Sequence, residues 1–273
     1  MPDASDTLVH DPDGGLPRLI EIMRRLRDPE TGCPWDIEQT FDSIAPYTIE
    51  EAYEVADAIA REDWDALEGE LGDLLLQTVY HTAMGSEAGR FTFQSVANRI
   101  ADKMVARHPH VFGTESRDKS AEDQTRDWET QKARERGTAR TLDGVAITLP
   151  ALLRAVKLQR RAARVGFDWP ETEQVLDKLA EEARELVEAK SSADKAHLVE
   201  EMGDFLFVAA NLARHLGIDP EEALRGANAK FTRRFEAIED ALAATGRRPE
   251  DSTLAEMDAL WDAAKTAERT AGH

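Results

Sequence analysis

Residues 172–212 read TEQVLDKLAEEARELVEAKSSADKAHLVEEMGDFLFVAANL, and the spacing in this stretch decides the fold. Val175, Leu176, Leu179, Ala183, Leu186 and Val187 recur by threes and fours, and so do Leu198, Met202, Phe205, Ala209 and Leu212. Apolar residues at that interval form one stripe along an α-helix; a strand would need strict alternation, and the chain has no convincing example of it. Ser191, Ser192, Ala193 and Asp194 break the pattern with turn and N-cap residue types. Two helices joined by so short a turn are predicted to pack as an antiparallel hairpin.

Acidic residues lie on both helices of that hairpin. Residues three apart share a helix face, so Glu182 pairs with Glu185 and Glu201 with Asp204. In helical projection Glu201 falls between Phe205 and Val208, inside the apolar stripe, and Glu182 borders Val175 and Leu186. Glu188 points away with the solvated face. Packing the stripes together brings four carboxylates to a partly buried seam, with Gly203 expected to allow close backbone approach. At ~5 Å and an effective dielectric near 20, each ionised pair repels by roughly 3 kcal/mol. Some are therefore protonated, or a cation sits among them. An all-oxygen donor set selects Mg²⁺, with Mn²⁺ as a substitute. A di-iron centre would need Glu-x-x-His, which neither repeat contains.

The motif occurs twice. Glu50, Glu51, Glu54, Glu70 and Asp73 stand 131 positions before Glu181, Glu182, Glu185, Glu201 and Asp204. Each set ends in an apolar run, Leu74–Leu76 or Phe205–Phe207. Asp and Glu make up 54 of 273 residues, so a lone E-x-x-E would mean little; two copies with identical internal spacing are not a product of composition. The repeats open at Leu16-Pro17-Arg18-Leu19-Ile20 and at Leu149-Pro150-Ala151-Leu152-Leu153. The expected architecture is all-α, two tandem helical bundles joined by a polar connector. Residues 1–14 read as a flexible tail, 15–113 as the first repeat, and 114–146 as the connector, with a solvated helix around Trp128. Residues 147–273 form the second and mainly catalytic repeat. Asp219-Pro220-Glu221-Glu222 opens a further helix with an N-cap, a proline at the first position and a potential capping box.

Composition narrows the function. A net charge of −20 with no Lys/Arg-rich stripe argues against nucleic-acid binding. It is compatible with a single nucleotide held through a metal, because the cation reverses the local sign. Cys33 is the sole cysteine, which rules out an intrachain disulfide and suits a reducing cytoplasm. The first fifteen residues lack the apolar core of a signal peptide, and no run approaches the ~20 apolar residues of a membrane helix. Beyond the acids, Asn228, Lys230, Arg233 and Arg234 occupy successive turns in NAKFTRRF and could bind phosphate oxygens. The first repeat has Ala101, Lys103, Ala106 and Arg107 at those places. It keeps two of the four polar groups, so the second repeat is expected to be the competent one. Trp35 and Trp169 are expected to pack near the start of each repeat, His108-Pro109-His110 to form a structural turn, and Cys33 to be a buried thiol.

At these residues the chain resembles the MazG-type nucleoside triphosphate pyrophosphohydrolases of the all-α NTP pyrophosphatase superfamily. The likeness runs from Gly32-Cys33-Pro34-Trp35-Asp36 through Arg107-His108-Pro109-His110-Val111-Phe112 to Val165-Gly166-Phe167-Asp168-Trp169 and Lys230–Phe235. It implies a homodimer that hydrolyses NTPs or dNTPs to NMP or dNMP and pyrophosphate with Mg²⁺. Glu182, Glu185, Glu201 and Asp204 match the family's metal ligands, and Lys230 and Arg233 complete the catalytic set. Lys178, Glu181, His197, Leu198, Val199, Glu200, Phe231, Thr232, Arg234 and Trp261 match nucleotide-contacting positions, together with Glu182, Asp204, Lys230 and Arg233. The first set, Glu51, Glu54, Glu70 and Asp73, reads either as a second metal site or as a structural relic. Two rival functions from other classes are a nucleotide-sensing module without turnover and a structural dimerisation protein.

Overall fold

The computed structural model describes residues 3–114, Ser120, 140–191 and 194–271. Among the described residues the regular structure is helical throughout. The first part comprises α1 (Ala4–Val9), α2 (Gly15–Leu26), α3 (Pro34–Glu38), α4 (Phe41–Ala60), α5 (Trp64–Glu87), α6 (Phe93–Arg107) and α7 (Pro109–Phe112). The second comprises α8 (Ala151–Ala163), α9 (Thr172–Ser191), α10 (Lys195–His215), α11 (Pro220–Ala243) and α12 (Leu254–Ala271), with a 3₁₀ turn at Pro249–Asp251. The helices fall into two compact units, α1 to α7 and α8 to α12, so the protein is an all-α tandem repeat. The helix expected around Trp128 lies outside the described residues. No described helix is long and apolar enough to cross a membrane.

In the first unit α4 and α5 form the hairpin. Glu62 turns it at φ 54°, a left-handed position that glycine more often fills. Asp63 then caps α5 by accepting the Ala66 N–H at 3.1 Å, and Thr40 and Ser43 form a reciprocal box at the start of α4. Met23 from α2, Ile44 from α4, and Val79, Tyr80 and Met84 from α5 make the core.

The expected flexible tail is a finding in the other direction. Residues 4–9 form α1, which is anchored to α2: the Ser5 hydroxyl donates to Glu21, Asp6 pairs with Arg25 at 2.7 Å, and Arg18 Nε donates to the Val9 carbonyl at 2.9 Å. The stretch buries almost nothing apolar and is held by polar anchors, which no local pattern announces. Hydrogen bonds from Arg24 and Ser5 hold the Glu21 carboxyl down to about 2, against an ordinary 4.5. Because the folded value is depressed, its contribution to stability is complete above pH ~4.5 and disappears as the pH falls toward 2. Acid-unfolding curves of wild type and Glu21→Gln should therefore be separated above pH ~4.5 and converge near pH 2. Curves that remain parallel through that window would show that this anchor does not couple to folding.

In the second unit α9 and α10 form the corresponding hairpin, with α8 packed on α10 and α11, and α11 on α12. Asp194 caps α10 by accepting the N–H groups of Ala196 and His197 at 2.9 and 3.3 Å. Asp219 caps α11 in the same way through Glu221 and Glu222, with Pro220 at the first position. Glu222 closes no reciprocal box there, and the neighbouring Glu221 carboxylate accepts the Leu153 N–H of α8 at 3.4 Å. Asp168, before α9, bonds Arg214 and His215 at the end of α10. Burial pushes its carboxyl up, but those two partners outweigh it and hold it below the ordinary range.

Only part of each apolar stripe is covered. Val175, Glu182 and Ala189 form the buried line of α9, and Val208, Ala210 and Asn211 that of α10. Leu176, Val187, Met202, Leu206 and Phe207 remain exposed. Trp35 and Trp169 do not pack as expected, being 52% and 39% exposed, and Cys33 is half-buried rather than buried. Gly203 permits no close approach either: a Cβ there would meet open space.

Candidate functional site

Each hairpin brings its acids together across the seam. In the second repeat one carboxylate oxygen from each of Glu182, Glu201 and Asp204 lies within 4.8 Å of the others. Glu182 sits in the middle of the buried line of α9 and is 5% exposed, whereas Glu201 is half-buried and Asp204 exposed. The group thus runs from the core to the surface, as suits a ligand approached from solvent. Glu185 lies outside this trio but close to it. Desolvation pushes its carboxyl up, against the pull of Lys178, and Glu182, Glu181 and Glu201 add to the rise. The first repeat repeats the arrangement with Glu51, Glu70 and Asp73 within the same 4.8 Å. Glu54 joins them: desolvation raises both Glu51 and Glu70, and Glu54 adds repulsion and a hydrogen bond to each.

Lys178 approaches from within α9. Its ammonium lies 2.8 Å from Glu181 and 2.8 Å from Glu182, one helical turn along, and these partners raise its already high affinity for the proton. His197 Nδ1 is 3.5 Å from Glu201, so it faces the acids as the i,i+4 spacing requires. Along the same first turns of α10, Leu198 is half-buried, and Val199 and Glu200 are exposed. The donor set fits a hard divalent cation: it is all oxygen, convergent and negative, and it is only partly neutralised by one lysine.

Two basic residues of α11, Arg233 and Arg234, have their recorded partner on α12. Arg234 pairs with Glu268 at 2.8 Å and Arg233 reaches it at 3.3 Å. Arg234 also lies over the Trp261 ring, 5.4 Å from its centroid, and Phe231 packs against Trp261 at 5.4 Å between ring centroids. Lys230 and Thr232 are exposed. This is an aromatic ledge with two guanidinium groups tethered beside it. The sequence reading missed Glu268, although its place two turns after Trp261 puts both on one face of α12. In the first unit Arg107, the counterpart of Arg234, is buried. His108 caps the end of α6, with Nδ1 2.6 Å from the Met104 carbonyl, and its ring packs on His110 and Phe112 around the Pro109 turn.

Comparison with known proteins agrees with this geometry. The family model described as the MazG nucleotide pyrophosphohydrolase domain matches twice, over residues 39–112 and 171–238, the segments that carry the two carboxylate sets. A nucleoside triphosphate pyrophosphohydrolase of Escherichia coli K12 is 51% identical over 93% of this chain and 98% of its own length. A Thermotoga maritima protein named nucleoside triphosphate pyrophosphohydrolase/pyrophosphatase MazG is 41% identical over 92% and 96%. A nucleoside triphosphate pyrophosphohydrolase of Mycobacterium tuberculosis is 38% identical over 55% of this chain and 46% of its own. With both hairpins inside the matched segments and near full-length similarity to two such proteins, this chain belongs to the MazG nucleotide pyrophosphohydrolase family.

Proposed function

We propose that this chain hydrolyses nucleoside triphosphates between the α and β phosphates, giving the monophosphate and pyrophosphate, with Mg²⁺ and mainly in the second repeat. The observation that carries this reading is the convergence of Glu182, Glu201 and Asp204 on a common point, with the innermost acid buried. The names of the relatives in Escherichia coli and Thermotoga maritima support the reaction class. When bound, a divalent cation supplies Lewis-acid polarisation of the phosphate and makes water a stronger nucleophile.

The chain's own residues supply the rest. Glu182, Glu201 and Asp204 would hold the cation, and Glu185, whose carboxyl is pushed up, would complete the acidic wall. Lys178, bound to Glu181 and Glu182, would offer its ammonium to a phosphate oxygen of the substrate beside the acids. Lys230, Arg233 and Arg234 neutralise charge gathering on the leaving pyrophosphate, and Trp261 and Phe231 offer an aromatic face for a base. Water adds to the α phosphorus, the bond to the bridging oxygen breaks, and pyrophosphate departs with the electron pair. A homodimer and a cytoplasmic setting belong to the same reading. Leu176, Val187, Met202, Leu206 and Phe207 lie uncovered on the catalytic hairpin, the kind of surface a second copy would cover.

Purified chain incubated with a panel of NTPs and Mg²⁺ should yield monophosphate and pyrophosphate by anion-exchange analysis, and the reaction should stop on chelation. Absence of turnover with both Mg²⁺ and Mn²⁺ would favour a nucleotide-sensing module. The two repeats should respond unequally. Glu182→Gln should lower turnover by ~10³, because it removes the buried ligand, and Glu51→Gln by less than about tenfold. Equal losses would refute the dominance of the second repeat.

A further inference from the structure

Arg233 and Arg234 are adjacent in sequence, and successive residues of an α-helix point about 100° apart. Both guanidinium groups nevertheless meet one carboxylate. Glu268 divides its oxygens between them: Oε2 lies 2.8 Å from Nε and 2.8 Å from a terminal nitrogen of Arg234, and Oε1 accepts from Arg233 at 3.3 Å. The hydrogen bond from Arg234 is the largest influence holding the Glu268 carboxyl below its ordinary range, so at neutral pH the group is an anion between two cations.

The two arginines are held unequally. The Arg234 side chain is 14% exposed, with its guanidinium over the Trp261 ring and its edge on Glu268. That of Arg233 is 61% exposed and has donors left for a ligand. Phe231, itself exposed, stacks on Phe235 and leans on Trp261. Fold stability does not account for this arrangement. Exposed ion pairs contribute little, and the buried residues of α11, Ile238 and Leu242, lie at least one turn beyond the cluster. An aromatic face open to water beside ordered cations has the form of a binding surface for a flat ring that carries negative charge.

We propose that Glu268 is a positioning residue: it fixes the register between the Trp261–Phe231 face and the two guanidinium groups, so that this surface selects a nucleoside polyphosphate over a bare polyphosphate. This role rests on the reading above for the substrate class and for the placing of base and phosphates, and requires no turnover. With the register set beforehand, base and phosphate engage together without first ordering two rotamer-rich side chains. Glu268 also offsets part of the arginine charge, which weakens the attraction for a phosphate chain that arrives without a base.

The test is calorimetric titration of the full chain, in Mg²⁺, with two probes. One is the α,β-methylene analogue of ATP, which cannot be cleaved at that bond; the other is inorganic tripolyphosphate. The wild type should hold the analogue about tenfold more tightly, the contribution of one stacked base. Glu268→Gln keeps the shape and removes the charge. It should weaken the analogue by about tenfold and leave tripolyphosphate unchanged or up to about threefold tighter. In a Trp261→Leu background the same substitution should cost the analogue less than about twofold, because residues that act as a unit are not additive. Should the Gln variant lose its helical circular dichroism, Glu268→Asp, one methylene short of both arginines, should show the same selective loss. Equal loss of both probes, or losses that add in the Trp261→Leu background, would reduce Glu268 to a structural role and overturn the proposal. So would a wild type that binds the two probes equally. The readout is binding, so a chain that loses selectivity as expected but turns over no NTP refutes the hydrolase reading alone. A chain that hydrolyses NTPs with its selectivity untouched in Glu268→Gln refutes this role alone.

Discussion

Glu201→Gln is expected to reduce NTP turnover by ~10³ while leaving the helical circular dichroism signal intact. The substitution keeps the shape and replaces one of three convergent carboxylates with a neutral amide. Lewis-acid stabilisation by a bound cation contributes several kcal/mol to the barrier, and each 1.36 kcal/mol is a factor of ten, which gives about three decades. The structural cost should be negligible or reversed. In the metal-free chain Glu201 faces Glu182 and Asp204, and each close pair of ionised carboxylates costs roughly 3 kcal/mol at an effective dielectric near 20. Removing one charge relieves that repulsion, so the melting temperature without Mg²⁺ should not fall. The His197 ring, 3.5 Å from Glu201, would face an amide and lose its charged partner. Full activity in this variant would refute the assignment of the metal site, however well the chain folds.

Arg27→Ala should destabilise the first unit by about 3 kcal/mol and leave the second unit's unfolding unaltered. The Arg27 side chain is 7% exposed, although its ion-pair partner Glu87 is half in solvent. It binds both Glu87 oxygens at 2.7 Å, donates to the carbonyls of Asp36 and Gln39, and lies over the Tyr80 ring at 5.4 Å. One guanidinium therefore ties α2 to α5 and to the segment leading into α4, which carries Glu51. Truncation leaves those carbonyls without their donor and opens space beside Tyr80. Arg27→Lys should recover little of the loss, because a single ammonium cannot reproduce a planar fork with donors in several directions. Thermal unfolding of the full chain reads both effects, since the two units need not melt together. A shift below about 1 kcal/mol would mean that Glu87 and solvent, rather than the buried carbonyls, carry the interaction.

Much of the candidate site could be read from the chain because its logic is local. Glu182 with Glu185 and Glu201 with Asp204 share faces by helical spacing alone, and the duplication at Glu51 and Glu70 separated signal from an acidic background. Asp194 and Asp219 cap the helices they were expected to cap, because capping is a contact between residues two or three apart. Expectations failed where the answer depended on a distant partner. Trp35 and Trp169 are apolar enough to be buried, but the described elements cover them only in part. Residues 3–14 look like a tail until Glu21, Arg25 and Arg18 are seen to hold them. Glu222, expected to close the cap of α11, forms no reciprocal box, while its neighbour Glu221 binds α8.

The sequence by itself determined the helices, their pairing into two hairpins, and the meeting of the acids, because backbone geometry turns a period of three and four into a face. Only the tertiary structure decided which flank of each stripe is buried, that Glu268 tethers Arg233 and Arg234 beside Trp261, and that Gln77 has a buried oxygen with nothing to bind. Those features depend on which side chains packing brings together across tens of residues, and hydrogen bonds and ion pairs decay within a few ångströms. The sequence lists the groups; the distances that turn them into partners or orphans exist only once the chain has packed.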